Sequence, residues 1–260
     1  MKTFTKLTLA ALIVFGTAFT AKAEWLVSQR DSIPNFAYQL MTKEGQSSAW
    51  ADGVEVYDKD ADIAYRVFCT DFYTKTSGGF SSEGQQYNPV ALDLSPFHSD
   101  TQKTQLQSLF DHVYTKAFNA DYSYNNEFYA SLFNLAVWEI VHETRNALSL
   151  ANGDFYITNA IAISQGPNGE NWNSWSKDAL DKARSVTADW FDAILNDTWD
   201  DYGYSEDKVN LTVYMAEGGT DVSQTFIGVA PNITPEPATM LIIGLGLAGL
   251  GLARRCRKNK

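Results

Sequence analysis

"NNEFYASLFNLAVWEIVHETRNAL", residues 125–148, carries the strongest helical pattern in the chain. Phe128, Leu132, Leu135, Ala136 and Glu139 recur along one side, and Tyr129, Phe133, Val137, Ile140 and Val141 along another. A surface helix shows a single apolar stripe, whereas a helix that is apolar nearly all round has neighbours on every side. The stretch therefore predicts a central buried helix, and the rest of the fold is what surrounds it.

Toward the N-terminus, "SDTQKTQLQSLFDHVYTKAF" (99–118) opens on a capping residue, Ser99 or Asp100. It spaces Leu106, Leu109, Phe110, Val113 and Phe118 as a helix does. "SGGFSSEGQQYNPVALDLSPF" (77–97) is rich in Gly, Ser and Pro and reads as a loop. "AWADGVEVYD" (49–58) and "ADIAYRVFCTDFYT" (61–74) alternate in part and carry aromatics, as strands do. On the other side, "SWSKDALDKARSVTADWFDAIL" (174–195) is a second amphipathic helix with Leu180, Ala183, Val186, Trp190, Phe191 and Ile194 inward. "KVNLTVYMAE" (208–217) and "VSQTFIGVAP" (222–231) read as closing strands joined through Gly218 and Gly219. The order of strands, helices and strands gives an α+β class: mixed strands packed on a central buried helix with flanking helices.

The two ends belong to transport rather than to the fold. The first 23 residues have Lys2 and Lys6, an apolar core from Leu7 to Phe19, and the small pair Ala21 and Ala23. That is the pattern of a secretory signal cleaved after Ala23. The last residues run Pro235-Glu236-Pro237, then 16 uncharged residues from Ala238 to Ala253, then Arg254, Arg255, Arg257, Lys258 and Lys260. As a helix the apolar run spans roughly 24 Å against a hydrocarbon core of about 30 Å, a short span that suits temporary retention. The basic end is expected to stay cytoplasmic.

These residues in this order resemble the PEP-CTERM sorting signal of Gram-negative bacteria. The resemblance implies export through the Sec machinery and a transient inner-membrane anchor through residues 238–253. It further implies processing near Pro235-Glu236-Pro237 by an exosortase, and arrival at the cell surface or outside. The expected organisation is a signal peptide at 1–23, an exported globular α+β domain at 24–232, and the sorting signal at 233–260 with its own hydrophobic helix.

Removing Lys2, Lys6, Lys22, Glu236 and the five tail basics from 31 acidic and 20 basic residues leaves 30 and 12, a net charge of −18. Such a surface argues against nucleic acid and anionic lipid as partners bound through their phosphates. It suits solubility, divalent cations or a hydrated polysaccharide matrix. With Cys256 in the tail, the exported domain keeps only Cys69, so it has no internal disulfide framework. Cys69 is then a buried small hydrophobe, a dimer link or a chemically special thiol.

"VFCTDF" (67–72), "FNLAVWEIVHE" (133–143) and "LANGDFYITNAI" (150–161) together resemble an ectodomain recurrent in PEP-CTERM proteins, similar in turn to thioester domains of bacterial surface adhesins. In that family a Cys after an aromatic residue bonds to the Gln of a Q-x-A-x-W-type helix start. Cys69 follows Phe68, and Ala136 and Trp138 match. The Gln position holds Asn134, one methylene shorter. The expectation is a fold that keeps Cys69 and Asn134 as buried residues without the bond; the alternative is a thioester of Cys69 with Asn134, Gln39 or Gln86.

Other constellations are weaker. Asp58, Asp60 and Asp62 alternate as in a calcium loop, but Ile63 and Cys69 stand where Gly and Glu belong. Asp197, Asp200, Asp201, Glu206 and Asp207 form a charge run that reads as a solvated loop. His142-Glu143 lacks the second His of H-E-x-x-H, His98 and His112 read as structural or surface residues, and no G-x-S-x-G or phosphate loop occurs. Tyr122, Tyr124, Trp172 and Trp175 lie among amides, the chemistry of glycan contact, though rings of this kind also pack in cores. No metal or cofactor is expected. The expected function is a non-enzymatic, exported structural or adhesive protein of the exopolysaccharide matrix, as in a biofilm. A covalent thioester adhesin and a secreted polysaccharide hydrolase are the alternatives.

Overall fold

The structure, a computed structural model, describes residues 24–28, 36–51, 53–58, 63–70, 85–95, 99–114, 124–144, 147–162, 177–217 and 224–229. All of these fall in the compact unit that ends at Val229; the unit from Ala230 to Lys260 lies outside them. Ala21, Ala23, Pro235, Glu236, Pro237, Arg254 and Arg255 are therefore outside the described residues, as is the hydrophobic stretch 238–253. Among the described residues no helix is long and apolar enough to cross a membrane.

Among the described residues the strands form two antiparallel sheets, and the helices pack against both. Strands β1 (Glu24–Ser28), β4 (Gly53–Asp58), β5 (Ile63–Cys69), β9 (Phe226–Val229), β8 (Leu211–Ala216) and β6 (Gln85–Ala91) close in that order into a barrel. Strands β3 (Gly45–Trp50), β2 (Phe36–Thr42) and β7 (Phe155–Ala162) form a second sheet. The β2–β3 turn is tight because Gly45 adopts φ +118°, open to glycine, and the Thr42 hydroxyl accepts from the Glu44 N–H at 3.2 Å.

Three helices follow the predicted pattern: α1 (Asp100–Leu109), continued by a π turn over Phe110–Tyr114; α2 (Tyr124–His142); and α3 (Lys177–Asn196). α2 packs against β4 and β5 of the barrel, β7 of the second sheet, and both other helices, which is the central burial its composition predicts. Phe133 on α2 meets Phe68 of β5 and Phe110 after α1, with centroids 4.7 and 4.8 Å apart. On the other face Ser131 shares a 2.9 Å hydrogen bond with the Tyr38 hydroxyl of β2. Leu180, Ala183, Trp190 and Phe191 of α3 are buried, as their spacing predicts.

Caps tie these elements together. Ser99 and Gln102 form a reciprocal capping box at the start of α1. The same Gln102 donates its side-chain amide to the carbonyls of Ile140 and Val141 at 3.0 and 2.7 Å, so it also satisfies the end of α2.

Three expectations need correction. The stretch 77–97 is not all loop, because 85–91 is β6, held between β1 and β8. Pro89 fits because it lies past the β1-paired positions Gln85–Tyr87, where no ladder donor is required on that side. The stretch 49–58 is two strands in different sheets, β3 ending at Trp50 and β4 starting at Gly53. The long helix ends at His142 rather than near Leu148, since the Thr144 N–H and hydroxyl turn onto Asp154. β7 also inserts between α2 and α3, a strand inside the helical part of the order, and the class remains α+β.

Candidate functional site

β5 ends in Val67, Phe68 and Cys69, and β9 pairs with it in the register Cys69 to Phe226. Val67 and Phe68 are fully buried, so the strand cannot shift without exposing them, and Cys69 is fixed at the barrel seam with 9% of its surface exposed. The register brings the residues just before β9 beside it. The Cys69 thiol donates to Gln224 Oε1 at 3.1 Å. Behind this pair the Thr70 N–H and hydroxyl both donate to the Thr225 carbonyl, at 3.0 and 3.1 Å. His142, the last residue of α2, donates from Nε2 to the Thr70 carbonyl at 3.2 Å. The residues on either side of the thiol–carboxamide contact are thus tied into the seam, and Thr70 and Thr225 are buried.

A thiol and a primary carboxamide so held can condense. The sulfur bonds to the side-chain carbonyl carbon of Gln224 and ammonia leaves, giving an internal thioester. Cys69 is in no disulfide. Sequence reasoning singled out Cys69 and missed Gln224, because the two are 155 residues apart and only the β5–β9 register joins them. Asn134 is fully buried on α2. Gln39 lies on β2 of the other sheet, and Gln86 on β6, across the barrel from β5.

A second polar group gathers where α2 gives way to β7. Glu139 is fully buried; its Oε1 accepts the Ser149 N–H at 2.6 Å, and its Oε2 has no hydrogen-bond partner among the described residues. Burial, opposed by the Ser149 bond and aided by the nearby charges of Glu143 and Asp154, pushes its pKa up to about 9, so the carboxyl is neutral at pH 7. Glu143 accepts the Asp154 N–H at 2.8 Å. Asp154 is held well below the usual carboxylate range by its bond to Lys43, 2.8 Å away, and by the Thr144 hydroxyl. Gly153, at φ +138°, lets this loop close, since a Cβ there would sit 2.2 Å from Glu143 Oε2. Sequence spacing placed Glu139 on an apolar helix side but gave no sign of its neutral state.

The remaining candidates are dispersed. Asp58 ends β4, while Asp60, Asp62 and His98 lie outside the described residues. Asp197, Asp200, Asp201, Glu206 and Asp207 are exposed. Among the described residues no group of three or more His, Cys, Asp or Glu side chains could hold a metal ion. His112 stacks on Trp199. Tyr122, Trp172 and Trp175 lie outside the described residues, as does the side chain of Tyr124, whose backbone opens α2.

Residues 234–258 match the PEP-CTERM protein-sorting motif, so the chain carries that signal and is an exported surface protein. No curated protein matches the chain. Among solved structures it is similar to the N-terminal domain of the Streptococcus pyogenes pilus tip adhesin Cpa, with TM-score 0.43, 11% identity, and coverage of 81% of this chain and 99% of that one. It is also similar to the N-terminal thioester domain of the fibronectin-binding protein SfbI from Streptococcus pyogenes, with TM-score 0.42, 12% identity, and coverage of 79% and 98%. A third is the N-terminal thioester domain of a Clostridium perfringens surface protein, solved as a cysteine-to-alanine mutant, with TM-score 0.39, 13% identity, and coverage of 75% and 98%.

Proposed function

We propose that this is an exported, non-enzymatic adhesive protein whose barrel seam forms a Cys69–Gln224 thioester and attaches covalently to an amine-bearing partner in the extracellular matrix. The observation that carries this reading is the 3.1 Å contact between the thiol and the Gln224 carboxamide. Condensation releases one ammonia. A partner amine then attacks the acyl carbon, its nitrogen becomes an amide on Gln224, and Cys69 recovers its thiol and proton. Asn134, on this reading, supports the buried face of α2 and forms no bond to sulfur.

Intact mass of the protein recovered outside its host tests the proposal. A mass one ammonia below that of the processed sequence, raised by one methylamine after treatment, supports the bond. A full mass unchanged by methylamine leaves a non-covalent surface protein with an inert thiol.

Processing is the second part of the proposal. Residues 1–23 direct Sec export and are cleaved after Ala23, residues 238–253 hold the precursor in the inner membrane, and an exosortase cuts near Pro235-Glu236-Pro237. Glu236→Ala is expected to leave an unprocessed, membrane-held precursor on immunoblots of fractionated cells; normal release of that variant would remove the sorting claim.

A further inference from the structure

We propose that the cleft between α1 and the segment 206–212 binds a saccharide chain that bears free amino groups. The cleft has a volume of about 830 Å³, and Thr104, Gln107, His112, Asp197, Glu206 and Asn210 are among the residues lining it. The inference rests on the reading of the protein as an exported matrix adhesin and names a non-covalent partner class for it; it does not depend on Cys69.

The first observation is a fixed flat ring. His112 lies on Trp199 with centroids 4.6 Å apart and planes 6° from parallel, and its Nδ1 donates to the Ser108 carbonyl at 2.9 Å. Trp199 is itself buried and tied through its indole N–H to the Ser108 hydroxyl at 2.9 Å. One imidazole face is thus backed by a buried ring, and the half-buried histidine lines the cleft. A rigid ring of this kind accepts the C–H face of a sugar at small entropic cost.

The second observation is that the opposite wall is preformed. Buried Asp111 accepts the Val209 N–H at 2.9 Å and the Gln107 amide at 2.8 Å, while its own carbonyl accepts the Asp207 N–H at 2.6 Å. Gln107 also reaches the Val209 carbonyl at 2.8 Å. These bonds fasten 206–212 to α1, so a ligand meets an ordered groove and does not have to build one. Thr104 and Asn210 also line it; the Thr104 hydroxyl donates to the Asp100 carbonyl at 2.9 Å, so toward a sugar hydroxyl it can act as an acceptor.

Charge selects among sugars. Asp93, Asp100, Asp197 and Glu206 are exposed at the cleft; Lys103, which donates to the Asp93 carbonyl at 2.8 Å, offsets one of these four charges and leaves the lining acidic. Glu206 has one exposed cation nearby, Lys208 at 3.4 Å, a contact that competes weakly. The groove therefore repels uronate chains and favours ammonium groups.

Calorimetric titration of the exported protein carrying Cys69→Ala, which removes covalent capture, tests this with hexamers of glucosamine, glucose and galacturonate. The expected order is glucosamine first, glucose weaker by about fivefold or more, and galacturonate undetectable. His112→Ala is expected to weaken glucosamine binding about tenfold, and His112→Phe to restore most of it by restoring a flat ring. Asp197→Asn with Glu206→Gln, both on exposed positions, is expected to erase the preference for glucosamine over glucose. Absence of glucosamine binding, equal binding of galacturonate, or unchanged affinity in His112→Ala would overturn the proposal. None of these results alters the mass of the wild-type protein, so failure here and failure of the thioester are told apart.

Discussion

The barrel seam and the loop beyond α2 hold their polar groups in opposite ways. At the seam two neutral side chains, Cys69 and Gln224, meet in a hydrogen bond that can be exchanged for a covalent bond by expelling ammonia. In the loop Glu139, Glu143 and Asp154 meet as acids, relieved by a proton on one, a backbone donor on another and Lys43 on the third. Carboxylates so arranged share protons and cations but have nothing to expel. The difference separates reactive capacity from stability: on the proposed reading the first region stores a bond, and the second joins α2 to β7.

The comparison breaks most visibly at Gln224. Gln224→Glu keeps the shape but cannot release ammonia, so the full sequence mass and complete loss of methylamine uptake are expected. A cross-link closing a loop of this length contributes roughly 5 kcal/mol in the chain-entropy account, and urea unfolding of the variant is expected to show that loss. Equal stability of variant and wild type would mean that the seam is as non-covalent as the loop.

A smaller effect is expected from Gly153→Ala, which strains a φ of +138° and drives a methyl group into Glu143. It should cost about 3 kcal/mol in the same assay while leaving methylamine uptake intact. Loss of uptake as well would show that the two regions are one cooperative unit.

The smallest is a gain. Glu139 has a folded pKa near 9 against an ordinary 4.5, so the folded state binds more protons and stability falls as pH rises between those values. Glu139→Gln keeps an acceptor for Ser149 without that penalty. It should add about 2 kcal/mol at pH 7 and nothing near pH 4. A gain of the same size at both pH values would place its origin in packing rather than in protonation.

What could be read from the sequence follows the range of each interaction. Burial of α2 was legible because it needs apolar residues on every side; the start of α1 was legible to within Ser99 or Asp100, and the reciprocal bond with Gln102 settles it on Ser99. β6 was hidden because its residues mix Gln85, Gln86, Asn88 and Pro89 with a single fully buried ring, Tyr87; its strand character comes from β1 and β8, both distant in sequence. Cys69 stood out as the exported domain's sole thiol. Gln224 did not, because its significance lies in the register of β9 on β5. Glu139 was legible as a position on an apolar side, but its protonation comes first from complete burial and then from Glu143 and Asp154, against the Ser149 bond, and only the folded chain brings these together.

The place of Gln224, immediately before the last strand of the barrel, has a mechanical meaning. In the proposed reaction the captured partner ends on the Gln224 side chain, and only the backbone from Gln224 to Val229 separates that point from the C-terminal unit. Tension between a captured target and whatever holds the C-terminal end would run along that short covalent path. The rest of the fold stands outside the line of force, so pulling could peel β9 from its neighbours without releasing the target.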